Sequence, residues 1–356
     1  MEVRVSKAEF SRVLAVFSKV VGKGRVWYLG YIGMSAGNGR IRLRGTDRNV
    51  YLRVEVPAEV GAKGGEFFVE LKELLKAVKT SKEKELRLHL DEGWLVVQAG
   101  NVKSRLKAEI GDFPFPEFPR AVYTETLPAF VLLEGIQKVG FAASKEDKDS
   151  WSLNCMLVDG KGEYANLVAS DGYRLAIMRK AVPFNQTIKI NRSGFPVLEK
   201  LLMKSEVIKI GHTEGFTFLA GNGGSWEVAI KTNEVRYPDY EAVVPTDIKT
   251  KVKLSIDDLR TFVSGAGDGE SLILHIGREG VKMLLANGQD AKAEVEIKDA
   301  IEGEPMTIGF NPKFIKAFTD TQKEGTVELL LVEPEFQALF KLSDDYLYVV
   351  APLNLK

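Results

Sequence analysis

The chain has 356 residues, of which 45% are hydrophobic and 28% are charged, a balance typical of a globular protein. Its 49 Lys and Arg residues equal its 49 Asp and Glu residues, which excludes a strongly basic nucleic-acid binder and a strongly acidic protein. The single cysteine, Cys155, excludes an internal disulfide, the N-terminal MEVRVSKAEF has no apolar signal-peptide core, and no apolar run approaches the length of a membrane span. We therefore expect a cytoplasmic protein in which Cys155 is a small buried side chain.

An amphipathic helix signal occurs three times, at residues 5–21, 127–141 and 254–263, so that its starts lie about 120 residues apart. In each segment apolar residues recur every three or four positions, which is the period of a helix that buries one face. Ser6 and Ser255 each precede an acidic residue by three positions, a spacing that predicts an N-cap. The recurrence indicates a protein built from three copies of one unit.

A second helix signal begins after Val69, Ile190 and Ile308, again about 120 residues apart. Short alternating strands separate the two helices of each unit, and turns such as Asn38-Gly39 join them, which predicts antiparallel hairpins. This order of elements predicts an α+β protein of three similar domains, each with two helices packed on antiparallel sheets. The predicted domains are residues 1–122, 123–247 and 248–356.

Basic residues are grouped on the predicted helices although the whole chain is neutral. Lys72, Lys76 and Lys79 recur at i, i+4 and i+7, opposite the apolar face of their segment. One such face is usually a solvated surface, but its recurrence in every unit indicates a shared positive surface. The other members of these groups are Arg12, Lys19, Arg192, Lys200, Lys204, Lys313 and Lys316.

The sequence carries no recognisable catalytic or metal-binding motif. His89, His212 and His275 are far apart along the chain, and we interpret them as structural. Residues 22–25, Gly-Lys-Gly-Arg, do not have the form of a phosphate-binding loop. We therefore expect a protein that is not an enzyme and that uses no metal and no cofactor.

Three long motifs resemble those of one protein family. The stretch LVASDGYRLAIM at residues 167–178 is similar to that family's A-T-D-G-H-R-L-A signature, with Ser170 and Tyr173 as departures. RYPDYEAVVP at residues 236–245 resembles its R-F-P-D-Y motif, and the terminal YVVAPLNLK resembles its Y-V-V-M-P-M-R-L ending. The family is the bacterial DNA polymerase III beta subunit, the sliding clamp, and the resemblance extends over the whole chain.

The resemblance implies a DNA-clamp fold and a head-to-tail homodimer that closes into a ring around duplex DNA. Such a ring holds DNA by topology, so that its lining meets phosphates without reading bases. Arg25 and Arg192 match basic positions of the family, whereas the other predicted lining residues follow from helical spacing. The predicted DNA-binding residues are Lys23, Arg25, Lys72, Lys76, Arg192 and Lys200.

The resemblance also implies a groove for short hydrophobic peptide motifs of the DNA polymerase III alpha subunit, the clamp loader and other clamp-binding proteins. Ala242, Ala351 and Asn354 depart from the family pattern at this groove, which affects the preference among these partners. The implied dimer joins the first domain of one subunit to the third domain of the other through sheet edges, and Leu106 matches an interface position. The implied groove residues are Leu153, Ser170, Gly172, Tyr173, Arg174, Leu175, Pro238, Val243, Pro352 and Leu353.

Two other classes of protein stay open on the residues alone. A non-enzymatic adhesion or ligand-binding scaffold of three repeats agrees with the repetition, but it predicts a secretory signal and leaves the basic helix faces unexplained. An enzyme requires a cluster of ionisable groups that packing does not account for, and the sequence offers none.

Overall fold

The computed structural model describes residues 1–22, 26–80, 83–146, 153–287, 290–297 and 301–355. By its internal contacts the chain divides into unit 1, Met1–Leu133 with Ser193–Glu234, and unit 2, Glu134–Arg192 with Val235–Lys356. The second sequence repeat therefore contributes residues to both units. The division into domains 1–122, 123–247 and 248–356 stays a prediction.

Helices occur at all six places where the sequence predicts them. The hydroxyl of Ser6 accepts a hydrogen bond from the Glu9 amide at 3.4 Å, and that of Ser255 accepts one from the Asp258 amide at 3.2 Å. Both predicted N-caps are therefore confirmed. In the described residues the helices are α1 Lys7–Phe17, α2 Leu71–Lys79, α3 Ala129–Lys138, α4 Phe195–Leu202, α5 Ile256–Ser264 and α6 Pro312–Thr319.

The strands alternate with these helices along the chain. In order they are β1 Glu2–Ser6, β2 Tyr31–Gly37, β3 Arg40–Thr46, β4 Val50–Pro57, β5 Glu59–Ala62, β6 Gly64–Glu70, β7 Glu85–Asp91, β8 Trp94–Ala99, β9 Val102–Lys107, β10 Glu109–Ile110, β11 Glu125–Pro128, β12 Cys155–Gly160, β13 Ala165–Ser170 and β14 Arg174–Lys180. They continue as β15 Thr187–Asn191, β16 Val207–Thr213, β17 Phe216–Gly221, β18 Trp226–Lys231, β19 Thr250–Ser255, β20 Ser271–Gly277, β21 Gly280–Asn287, β22 Asp290–Ile297, β23 Ile301–Gly303, β24 Met306–Phe310, β25 Thr326–Leu331, β26 Ala338–Ser343 and β27 Tyr346–Val350.

The strands form two sheets in each unit. Unit 1 contains a five-stranded sheet in the order β5-β1-β7-β8-β9 and a nine-stranded sheet in the order β10-β6-β2-β3-β4-β18-β17-β16-β11. Unit 2 contains a nine-stranded sheet in the order β15-β12-β13-β14-β27-β26-β25-β19-β23 and a four-stranded sheet in the order β22-β21-β20-β24. Neighbouring strands such as β4 and β18, or β14 and β27, pair antiparallel. The structure confirms the predicted α+β class.

The helices bury their apolar faces inside each unit. In unit 1, α1 packs against α2 and α4, and Phe10, Leu14 and Phe17 of α1 are fully buried. Each such side chain contributes about 1.5–3 kcal/mol through removal of apolar surface from water. In unit 2, α5 packs against α6. Cys155 is 2% exposed within an apolar cluster, as the sequence predicts.

Candidate functional site

Unit 2 carries an apolar cleft of about 360 Å³ at the end of its nine-stranded sheet, where β13 turns into β14 and where β27 ends. This volume is within the usual range of small binding pockets. The cleft is lined by Leu153, Ser170, Gly172, Tyr173, Arg174, Leu175, Tyr237, Pro238, Asp239, Tyr240, Val243, Gln337, Val349 and Ala351. Eight of the ten residues that the resemblance implies are therefore brought together around one cleft.

The other two implied groove residues, Pro352 and Leu353, line a neighbouring hollow of about 470 Å³ together with Thr307 and Pro334. The C-terminal segment is held between two backbone partners: the Ala351 amide donates to the Tyr173 carbonyl and the Leu353 amide donates to the Gly309 carbonyl, both at 2.8 Å. Residues 351–353 therefore form a wall whose position is fixed by backbone hydrogen bonds.

The turn between β13 and β14 is held by its own side chains. The Asp171 carboxylate accepts hydrogen bonds from the backbone amides of Tyr173 and Arg174, both at 3.1 Å. The hydroxyl of Ser170 donates to the Arg174 carbonyl at 2.7 Å, and Gly172 has the positive φ of 88° that favours glycine. Asp171 is thus explained by the turn alone. The turn leaves Tyr173 68% exposed at the mouth of the cleft.

Arg174 is fixed in place before any ligand is bound. Its Nε donates to the Asp171 carboxylate at 2.9 Å, and its Nη2 donates to the Phe141 carbonyl at 3.2 Å. The guanidinium lies 5.5 Å from the ring centroid of Phe141 and 4.7 Å from that of Phe314, both within cation–π range. Because a guanidinium has five N–H donors, Arg174 keeps donors for a ligand carbonyl or carboxylate in the cleft.

The segment that follows β18 in sequence forms the opposite wall through Tyr240. The Tyr240 hydroxyl donates to the Asp159 carboxylate at 2.6 Å and accepts from the Asn166 side-chain amide at 3.0 Å. Lys161 lies 2.9 Å from the same carboxylate. Burial raises the pKa of Tyr240, and the hydrogen bond to Asp159 raises it further, so the hydroxyl stays protonated at neutral pH. This network attaches the wall to β12 and β13.

Sequence reasoning missed five of the lining residues, although a signal for two of them was present. The motif Tyr-Pro-Asp-Tyr at residues 237–240 recurs one repeat length earlier as Phe-Pro-Glu-Phe at residues 115–118. Both motifs have an aromatic residue at the first and the fourth position. Such a recurrence indicates side chains that pack on a sheet. The resemblance already identifies Ala351 as a groove position that departs from the family pattern, and the missed residues are Tyr237, Asp239, Tyr240, Gln337 and Val349.

Unit 1 has a larger cleft, of about 530 Å³, beside the earlier motif, but its chemistry differs. Arg44 donates two hydrogen bonds to Glu66, and its guanidinium lies 4.9 Å from the ring centroid of Phe115. Arg53 lies 4.2 Å from the ring centroid of Phe118. The guanidinium groups of these arginines therefore already interact with a carboxylate or with aromatic rings of the same unit. We therefore favour the smaller, apolar cleft of unit 2 as the binding site.

The predicted DNA-binding lysines that the structure describes lie on exposed helix faces. Lys72 and Lys76 lie on α2 and Lys200 lies on α4. Lys76 donates to the Glu73 carboxylate at 2.6 Å, an exposed contact that water screens strongly. Lys23 and Arg25 lie outside the described residues.

Arg192 has a different environment from these lysines. Its guanidinium donates to the backbone carbonyl of Ala143 at 2.7 Å and to that of Gly140 at 3.4 Å. Burial lowers the pKa of Arg192, and the positive charge of Arg174 lowers it further. Arg192 therefore supports the 3₁₀ turn Gly140–Ala142, and its contact with DNA stays a prediction.

Leu106 lies on β9, the outermost strand of the five-stranded sheet, and is only 9% exposed. Its side chain is thus largely covered within its own chain, and its place in a dimer interface stays a prediction. Across the described ranges, no group of three or more His, Cys, Asp or Glu side chains is arranged to hold a metal ion. None of the helices in those ranges is long and apolar enough to span a membrane.

Comparison with known proteins agrees with this architecture. Residues 1–122 match the family described as DNA polymerase III beta subunit, N-terminal domain. The beta sliding clamp of Pseudomonas putida is 28% identical over 333 residues, covering 89% of each chain, and that of Vibrio cholerae is 25% identical over 349 residues, covering 94% of each. Among solved structures, the DNA polymerase III beta subunit of Thermotoga maritima superimposes with a TM-score of 0.90 at 24% identity and full coverage of both chains.

The fold and these matches define a repeated α+β protein of the DNA-clamp fold. Residues 1–122 match the N-terminal domain of the DNA polymerase III beta subunit family, and the chain is similar over most of its length to the bacterial beta sliding clamps. An adhesion or ligand-binding scaffold is not favoured by any of these relatives.

Proposed function

We propose that this chain is a DNA sliding clamp, a non-catalytic subunit that encircles duplex DNA in the cytoplasm and tethers other replication proteins to it. The observation that carries the proposal is the cleft of unit 2. Three segments far apart in sequence meet there, and each contains one of the motifs that resemble the sliding clamps. Packing alone does not require these segments to leave an open apolar cleft between them.

The cleft suits a short hydrophobic peptide in an extended or turned conformation. Leu153, Leu175 and Val349 form apolar walls, while Arg174 and Tyr173 supply orienting polar groups at the rim. Apolar pockets with a few fixed polar groups are typical of sites that anchor one or two side chains of a partner. We propose that the partners are the DNA polymerase III alpha subunit, the clamp loader and other proteins with a clamp-binding motif.

We propose that two copies close into a ring by pairing β9 of one copy with β22 of the other. Both are outermost strands of their sheets, so each can accept another strand along its free edge. The exposed side chains have opposite charge, with Lys103 and Arg105 on β9 and Glu294 and Glu296 on β22. A head-to-tail contact of this kind occurs twice in a closed dimer.

The test of the proposed function is retention on circular DNA. The protein is loaded onto a nicked circular duplex with a clamp loader, and bound protein is measured by gel filtration before and after the circle is cut. A ring is retained on the circle and released by cutting, because the linear ends let it slide off. Release that does not depend on cutting would contradict encirclement.

The exposed lysines of α2 and α4 provide a second prediction. We expect replacement of Lys72, Lys76 and Lys200 by alanine to change the slope of log affinity for duplex DNA against log salt concentration. The slope should become shallower by about 2–3, because each phosphate contact contributes about 0.9 to it. The measurement is fluorescence anisotropy over a salt series. Replacement of the exposed strand lysines Lys209, Lys251 and Lys253 removes the same charge and serves as the control. Equal slopes for the two triple variants would refute the assignment of the helix faces.

A further inference from the structure

Unit 1 exposes a tryptophan beside a group of lysines, and nothing in the peptide cleft or the dimer contact uses it. Trp27 lies in the 3₁₀ turn Trp27–Gly30 and is 63% exposed. A large aromatic side chain with this exposure loses the stabilisation that burial provides. Its position makes it available to a ligand or partner.

Three aromatic neighbours hold the indole in place. The ring centroid of Trp27 lies 5.8 Å from that of Tyr28, 5.8 Å from that of Tyr31 and 5.5 Å from that of Phe113. All three rings meet the indole at angles of 84° to 89°, so none of them stacks parallel to it. The indole is thus held by near-perpendicular ring contacts, and its 63% exposure leaves part of its surface available to a planar ligand.

A cleft of about 480 Å³ opens beside the indole. Its lining includes the apolar residues Val21 and Leu75. The basic residues Lys72, Lys76 and Lys79 of α2 also line it and outnumber the one acidic lining residue, Glu70. Lys72 and Lys76 are about 6 Å apart along the helix axis, as are any residues four positions apart. This combination of side chains fits a ligand that carries both a planar apolar group and a row of anionic groups.

We propose that Trp27 and the cleft beside it bind an unpaired nucleobase of single-stranded DNA, with the lysines of α2 on the flanking phosphates. Aromatic side chains in a basic groove are the common means by which proteins bind single strands without sequence preference. A base can stack on an indole only where its face is exposed, and paired bases in a duplex have both faces covered by their neighbours. The site therefore distinguishes a single strand from the duplex on which the clamp slides.

The inference rests on the proposed function, because it gives a clamp on duplex DNA a way to register a single-stranded segment, as occurs at a primer end. The test measures the affinity of the full-length protein for an oligothymidine of about 20 nucleotides and for a blunt duplex of the same length. The variants are Trp27→Ala and Trp27→Phe. Phe130→Ala is the control, since Phe130 is an aromatic residue of unit 1 that is 52% exposed and lies outside the cleft.

We expect Trp27→Ala to lose about fivefold or more in affinity for the oligothymidine and to keep its affinity for the duplex. Trp27→Phe should retain most of the single-strand affinity, because a phenyl ring still stacks, and Phe130→Ala should match the parent protein. An unchanged single-strand affinity in Trp27→Ala would overturn the inference and assign the exposed indole to a protein partner instead. An equal loss on both DNA forms would also overturn it, because the effect would then not be base stacking.

Retention on circular DNA separates this inference from the proposed function. Trp27→Ala should be retained on a circular duplex as well as the parent protein, because encirclement does not require a stacked base. If the parent protein fails to be retained, the sliding-clamp proposal fails, whereas a single-strand affinity that depends on Trp27 would still support the site.

Discussion

Reversing the charge of Glu294 and Glu296 to lysine is expected to raise the dissociation constant of the dimer by at least about a hundredfold, since like charges brought together at an interface cost several kcal/mol. In the double variant both edges of the proposed contact, β22 and β9, are positive, and the contact occurs twice in each ring. Glu294 also lies 3.0 Å from Lys282 within its own sheet, but exposed pairs of this kind contribute at most about 1 kcal/mol to folding. The variant should therefore stay folded and sediment as a monomer.

The reciprocal variant, with Lys103 and Arg105 changed to glutamate, should also be monomeric. A mixture of the two variants supplies the decisive control, because both contacts of a mixed ring then join a positive edge to a negative one. Sedimentation velocity should show monomers for each variant alone and dimers for the mixture. A mixture that stays monomeric, or a Glu294 and Glu296 variant that stays dimeric, would place the subunit contact elsewhere than β9 and β22.

Retention on circular DNA should follow the same pattern as sedimentation. Each monomeric variant is expected to leave the circle without cutting, and the mixture is expected to stay until the circle is cut. Agreement between the two measurements would link the dimer to function, because a single subunit cannot enclose a duplex whatever its charge.

The features that the sequence predicts well depend on neighbours within a few residues. The helices that begin near Ser6 and Ser255 follow from a local apolar period and from a cap formed by a side chain three positions away. The predicted starts at residues 5 and 254 were early, because Val5 and Leu254 are buried strand residues that happen to continue the helical apolar pattern. Local pattern thus identifies an element better than its ends.

The features that could not be predicted from the sequence depend on contacts between residues far apart in the chain. Tyr240 becomes a wall of the cleft because Asp159 on β12 and Asn166 on β13 form hydrogen bonds with its hydroxyl. Arg192 has the spacing of a surface residue, yet it is directed to the carbonyls of Gly140 and Ala143 in a separate turn. Neither pairing has a signature along the chain, because both arise only when the sheet of unit 2 is assembled.

Removal of residues 353–356 is expected to lower the affinity for a clamp-binding peptide by about tenfold or more. Leu353 lines the hollow beside the main cleft, and its amide is bonded to the Gly309 carbonyl. Leu355 packs over Gly309 so closely that a Cβ atom on that glycine would lie 2.7 Å from a Leu355 methyl carbon. The truncation therefore removes one wall of the hollow, and a leucine side chain that a bound peptide buries fully contributes about 1.5–3 kcal/mol.

The measurement is isothermal titration calorimetry with a peptide that carries the clamp-binding motif of the polymerase alpha subunit. Gly309→Ala is a second test of the same wall, because its added methyl group displaces Leu355 while the chain keeps its full length. Val207→Ala, which alters an exposed apolar residue of unit 1, is the matched control. The truncated protein should still sediment as a dimer, since neither β9 nor β22 is changed. Normal peptide affinity in the truncated dimer would show that the groove ends at the main cleft, and loss of the dimer would show that the C-terminal segment supports the fold instead.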